Sequence, residues 1–196
     1  MAQAAVAGEH ATNTGISNWK VGFWTFLASE CLFFGTLIST YMVYKGTALV
    51  GPYPEEIFSV ITTTVSTTVL LFSSLAMVLA LDQVQKANKK AAIGWLFAVI
   101  AMGGIFLVME FQSYLKYIDY GLTLTSSTFG SSYYVLTGTH KVHVLFGMIW
   151  MGILAWRLHK DRIPPAKSEQ VEIAGLYWHF VDIIWIVIFT LVYLIP

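Results

Sequence analysis

Seven side chains able to do chemistry stand inside apolar stretches of this sequence: Glu30, Glu110, His140, Lys141, His143, His179 and Asp182. His140 and His143 are spaced i, i+3, as are His179 and Asp182, so each pair shares one face of a helix. Imidazole is a common metal ligand and a carboxylate often orients it, so a metal or heme site is one chemistry these pairs offer. The other is hydrogen bonding to neighbouring helices, which fixes packing where water is absent. The chain has five histidines, and His10 and His159 lie outside the apolar stretches, leaving three. Three are too few for the centres of a respiratory enzyme and enough for one bis-histidine heme. Packing is the favoured reading, and no catalytic or metal-ligating residue is assigned to the chain. The single Cys31 forms no intrachain disulfide, cysteine-rich metal centre or Cys-x-x-Cys-His heme attachment.

Glu30 is the hardest of these residues to explain by packing alone. It sits in FLASECLFFG beside Cys31, Leu32, Phe33 and Phe34, surroundings that disfavour an ionised carboxyl. Two roles remain open for it: a protonatable group coupled to a proton pathway, or a protonated carboxyl making one structural hydrogen bond.

The elements that must position these groups follow from composition. The chain is 57% hydrophobic and only 11% charged, against about a quarter charged in soluble domains, so it is read as an integral membrane protein. Formal net charge is zero, which gives no sign of a nucleic-acid partner. Residues 1–17 are small and polar, without a basic start and apolar core; they read as a flexible tail and not as a cleaved signal. A membrane helix needs about 20 mostly apolar residues. Five stretches qualify, at about 19–44, 57–81, 91–115, 132–156 and 172–195. The fold class expected is therefore all-α, one domain over 18–196 built as a bundle of five transmembrane helices, because lipid satisfies no open backbone groups. Loops 82–90 and 157–170 hold Lys86, Lys89, Lys90, Arg157, Lys160, Arg162 and Lys167, whereas the opposite loops hold only Lys45 and Lys116. The positive-inside rule then places the N-terminus in the cytoplasm and the C-terminus outside. Pro52, Pro54, Pro164 and Pro165 all fall in loops, as these boundaries require.

A rise of about 1.5 Å per residue sets the depth of each polar group. Glu110 and His140 share the outer third, Glu30 and His143 lie near the middle, and His179 and Asp182 lie in the inner half. Depth alone pairs Glu110 with His140, and Glu30 with His143 or Asp182. The second stretch is rich in hydroxyls, TTTVSTTVLLFSS at 62–74. Small polar residues permitting close helix contact explain it better than a pore lining. Trp19, Trp24, Tyr41, Tyr44, Tyr133, Tyr134, Trp156 and Tyr193 stand near span ends and read as interfacial anchors.

Four blocks, in order, resemble subunit III of the heme–copper terminal oxidases. YWHFVDIIW (177–185) is similar to the signature that closes that family. GFWTFLASECLFFG (22–35) resembles its first shared helix, with the family's glutamate on Glu30, and LVMEFQSY (107–114) resembles the helix whose glutamate falls on Glu110. FGSSYYVLTGTHKVHVLFG (129–147) resembles its Thr-Gly-x-His-Gly-x-His-Val run, with His140 and His143 on the two histidines. The departure is Lys141, where the family usually has glycine; a lysine there must snorkel or find a carboxylate. Five spans resemble the shorter bacterial form.

The resemblance implies a non-catalytic subunit of a proton-pumping cytochrome c oxidase in the bacterial plasma membrane. Such a subunit binds no heme or copper itself. It docks on catalytic subunit I, which holds hemes and copper, in a complex with copper-bearing subunit II. It also implies a phospholipid-holding cleft, support for proton uptake, and, for Glu30, the family's carbodiimide-reactive carboxylate. A quinol oxidase is the rival within the family. A free-standing proton or ion carrier using Glu30, Glu110 and Asp182, and a small cytochrome ligated by His143 and His179, are rivals from other classes.

Overall fold

In the computed structural model, residues 18–45, 58–164 and 168–195 are described. The 1–17 tail with His10, most of the 45–56 loop with Pro52 and Pro54, and Pro165 and Lys167 lie outside the described residues. Five helices account for nearly everything else: α1 (Asn18–Tyr44), α2 (Val60–Gln85), α3 (Lys89–Asp119), α4 (Thr128–His159) and α5 (Glu169–Phe189), the last continued by one π-helical turn, Thr190–Leu194. Each is long and apolar enough to cross a membrane, and no strand occurs among the described residues. The helices outrun the apolar stretches because their ends carry polar caps. Ser127 Oγ accepts from Gly130 N at 3.0 Å to start α4, and Asn88 Oδ1 accepts from Ala91 N at 3.4 Å to start α3.

Three helices stop in the same way. The residue after the C-cap adopts a left-handed conformation, at Ala87 (φ 58°), Gly121 (φ 83°) and Asp161 (φ 54°). The next amide in each case bonds back to a carbonyl in the last turn: Asn88 to Gln83, Leu122 to Tyr117 and Arg162 to Arg157. Only one of the three turns uses the glycine this geometry favours.

Helices α2, α3, α4 and α5 close a four-membered ring, each packing on the next and α5 returning to α2. α1 stands outside this ring, against α4 and α5. Its docked face repeats every seven residues through Leu27, Phe34 and Tyr41, the only fully buried positions of the helix. α5 is the most enclosed: 56% of its apolar window is buried, against 11% for α1. The reason lies in its side chains, since Trp178 and Trp185, one heptad apart, fill the ring's interior. Trp178 fits because the backbone opposite is bare. A Cβ on Gly147 of α4 would meet the Trp178 ring at 2.8 Å, and one on Gly103 of α3 would meet it at 3.0 Å.

The aromatic residues near span ends divide into two groups. Trp19, Trp24, Tyr44 and Trp156 are exposed, as anchors should be. Tyr41, Tyr133 and Tyr193 are buried and are not interfacial anchors; Tyr134 is half-buried. They join Phe58, Tyr114, Tyr117 and Phe129 in an aromatic cluster between the helices, with Phe58 stacked on Tyr133 at 4.9 Å. Of the hydroxyls of Tyr41, Tyr133, Tyr134 and Tyr193, three find partners: Tyr133 and Tyr193 share a hydrogen bond of 2.8 Å, and Tyr134 donates to Leu122 O at 2.8 Å, whereas the buried Tyr41 hydroxyl has none.

The close approach of Trp178 yields a direct test. Gly147→Val should lower stability by about 1–3 kcal/mol through overpacking. Gly152→Ala, which meets nothing within 4 Å, should hold or slightly raise the unfolding temperature in detergent.

Candidate functional site

Four hydroxyls of α2, on Ser66, Thr67, Ser73 and Ser74, meet polar groups on α5 and α3, while Thr62, Thr63, Thr64 and Thr68 bond within or beside their own helix. Trp178 Nε1 donates to Ser73 Oγ at 2.9 Å, and Trp185 Nε1 donates to Thr67 Oγ1 at 2.9 Å. Ser74 Oγ meets His179 Nδ1 at 2.5 Å, and Ser66 Oγ meets Glu110 Oε1 at 3.1 Å. The hydroxyl-rich run therefore lines a helix–helix seam and not a pore. The sequence shows the hydroxyls as a cluster on one helix, but their partners are spread over Trp178, His179 and Trp185 of α5 and Glu110 of α3.

Glu30 of α1 meets His143 of α4, with Oε2 3.2 Å from Nε2. This is one of the two partners its depth allowed. His143 Nδ1 lies 2.8 Å from Thr139 O, and since a carbonyl only accepts, that nitrogen carries a proton. The remaining nitrogen faces the carboxyl. Phe34 closes the site edge-on to the imidazole at 5.0 Å, and Tyr177 Oη donates to His143 O at 3.1 Å. Both His143 nitrogens are thus engaged, which leaves neither for a heme iron.

Glu110 does not meet His140. Its second oxygen lies 3.5 Å from Lys141 Nζ, the carboxylate that a lysine at this depth requires. His140 instead lies flat on Trp185, ring centres 4.8 Å apart, with Phe106 edge-on, and neither of its nitrogens has a hydrogen-bond partner. Ring stacking on an indole, and not hydrogen bonding, holds it. His179 and Asp182 likewise do not bond each other. The imidazole takes Ser74, while both Asp182 oxygens are buried without a hydrogen-bond partner, the Ser74 hydroxyl lying within electrostatic reach. Among the described residues no three His, Cys, Asp or Glu side chains group as a metal site would require.

α1 is fastened to the ring by polar contacts at three levels. At the end carrying the basic loops, Lys20 Nζ pairs with Glu172 at 2.8 Å. Midway is Glu30–His143. At the far end Lys45 Nζ donates to the carbonyls of Leu191 and Ile195, the free acceptors of the final π turn. Beside the Lys20–Glu172 level, a groove of about 870 Å³ opens between α1, α4 and α5. Trp19, Phe23, Phe26 and Trp150 wall it, and Asn18, Arg157, Glu169 and Gln170 also line it. Gln170 Oε1 is buried without a partner. The sequence does not assemble this groove, because its residues come from three segments, and Trp19 and Arg157 stand out in sequence only as an anchor and a loop charge.

Such an arrangement defines a membrane-embedded helical subunit whose buried polar groups are spent mostly on joining helices. The sequence profile described as Cytochrome c oxidase subunit III matches residues 1–195. The chain is 37% identical to cytochrome c oxidase subunit 3 of Alkalihalophilus pseudofirmus, over 95% of this chain and 90% of that protein. It is 36% identical to quinol oxidase subunit 3 of Bacillus subtilis, over 95% and 91%. It is also 35% identical to cytochrome bo(3) ubiquinol oxidase subunit 3 of Pseudomonas putida, over 89% and 84%. The chain belongs to the cytochrome c oxidase subunit III family, the third subunits of heme–copper oxidases, and is a multi-pass protein of the bacterial plasma membrane.

A double-mutant cycle checks the seam. Trp178→Phe and Ser73→Ala should couple by about 1 kcal/mol in unfolding free energy, as interhelical hydrogen bonds in membranes do. Additive effects would mean that the indole–hydroxyl bond contributes nothing.

Proposed function

We propose that this chain is the non-catalytic third subunit of a proton-pumping cytochrome c oxidase. It docks on catalytic subunit I, alongside copper-bearing subunit II, and carries no redox centre. It stabilises the catalytic subunit and supports proton uptake. The observation that carries this reading is the family match along residues 1–195. The engagement of both His143 nitrogens by protein atoms also favours a supporting role over a small cytochrome. By the distribution of basic residues, the Lys20–Glu172 end faces the cytoplasm.

Within that role, Glu30 is the proton-linked residue. It stands on the outermost helix with 18% of its side chain exposed, and its imidazole neighbour is a group able to accept or yield a proton. Phospholipid is the expected bound molecule, and the groove between α1, α4 and α5 suits it. Four aromatic rings fit acyl chains, Arg157 fits a phosphate, and Gln170 Oε1 offers an unused acceptor. Hemes and copper belong to the partner subunits. Quinol as the electron donor is the second reading, favoured by the 36% identity to a quinol oxidase subunit.

Glu30→Ala in the assembled oxidase should leave heme content and initial oxygen consumption near native, while lowering proton pumping or shortening enzyme lifetime during turnover. Immediate loss of all oxygen reduction in a fully assembled complex contradicts the accessory role. Arg157→Ala should reduce the phospholipid retained by the purified complex, read by native mass spectrometry; unchanged retention removes the groove as the lipid site.

A further inference from the structure

Glu110 is 1% exposed, at a membrane depth where an isolated carboxylate costs several kcal/mol. Three helices meet on it. Ser66 of α2 reaches Oε1 at 3.1 Å, and Lys141 of α4 stands 3.5 Å from Oε2. The lysine side chain is itself 13% exposed, so it has not snorkelled to the surface. Its Nζ lies 3.1 Å from the centre of the Tyr114 ring, one turn along α3 from Glu110. A ring face attracts an ammonium and offers a neutral amine little. The Tyr114 hydroxyl is bonded away to Thr137 at 2.5 Å, which fixes the ring beneath the lysine. Ser66 adds no charge, and its single proton has a second acceptor in Thr63 O at 3.0 Å. No other ion pair involves either residue among those described.

We propose that Lys141 is a resident counter-ion for Glu110: it keeps Glu110 a carboxylate, latches α3 to α4 inside the membrane, and withdraws that carboxyl from proton exchange. Glu110 would otherwise resemble Glu30, a buried acid available to protons. The two differ in their partners. An imidazole can hold or yield a proton, whereas an ammonium pinned between a carboxylate and a ring face serves as a fixed charge. The latch also accounts for His140, which lies beside Lys141 in sequence yet receives nothing from Glu110, because the lysine has taken that carboxylate. This inference stands on the chain's own side chains and does not depend on its partners.

The test is infrared spectroscopy of the full chain in lipid nanodiscs, in the carbonyl region of protonated carboxyls. The difference between native protein and Glu110→Gln should show no protonated-carboxyl band. Lys141→Met should gain such a band, and adding Glu110→Gln to it should remove the band. In thermal unfolding, Lys141→Met should lower the folded-to-unfolded ratio by at least about tenfold, as breaking a buried ion pair from one side does. The double variant should recover most of that loss. A Glu110-dependent protonated band in the native protein overturns the proposal, as does a Lys141→Met variant that unfolds like native. Should Lys141→Met fail to fold, the native and Glu110→Gln comparison decides alone.

Discussion

Hydrophobicity puts these helices into a bilayer but cannot hold them together there, since lipid tails are as apolar as leucine. The structure therefore depends on the seam between α5 and α2. Two indoles and an imidazole on α5, Trp178, Trp185 and His179, each engage a hydroxyl on α2. The seam closes the ring of four helices and sets the rotation of α5, and with it the position of everything α5 touches. Trp185 presents the face on which His140 stacks. Trp178 demands the bare backbone at Gly147 and Gly103, which lets α5 seat against both α4 and α3. The Glu110–Lys141 pair then adds a polar tie between those two helices.

α1 is bound on different terms. It buries little apolar surface against the ring and relies on Lys20–Glu172, Glu30–His143 and the Lys45 bonds to the last carbonyls. Its lightly packed position leaves the Glu30 side chain 18% exposed, while Glu110 and Asp182 are enclosed. That difference in burial suits Glu30 to communication with whatever lies beside this chain, and it places the groove between α1 and the ring at the same interface.

The helices were legible in the sequence because an apolar stretch long enough to span lipid has almost no alternative fold. Depth was legible too, since helical rise converts position into height, and it narrowed the partner of Glu30 to His143 or Asp182, of which the structure has His143. It paired Glu110 with His140, where the structure has Lys141. The two are adjacent in sequence and nearly equal in height, and only the rotation of α4 separates them. The same limit applied to the tyrosines: Tyr41 and Tyr133 sit at heights proper to interfacial anchors, yet point inward. Helix rotation was encoded in which α2 hydroxyls face the α5 tryptophans, Ser73 for Trp178 and Thr67 for Trp185, a pairing that acquires meaning only when the two helices are known to be neighbours. The groove lay beyond sequence reading for a related reason, as its walls come from three segments.

The central claim is that this chain is a supporting subunit whose redox chemistry resides in its partners. Purification in mild detergent through a tag on this chain, followed by a visible spectrum and a subunit gel, tests it most directly. The account predicts a heme spectrum from a complex in which larger subunits accompany this one, and no Soret band in the chain once it is separated from them. A chain that purifies alone from its native membrane, or that keeps a Soret band after separation, would contradict it.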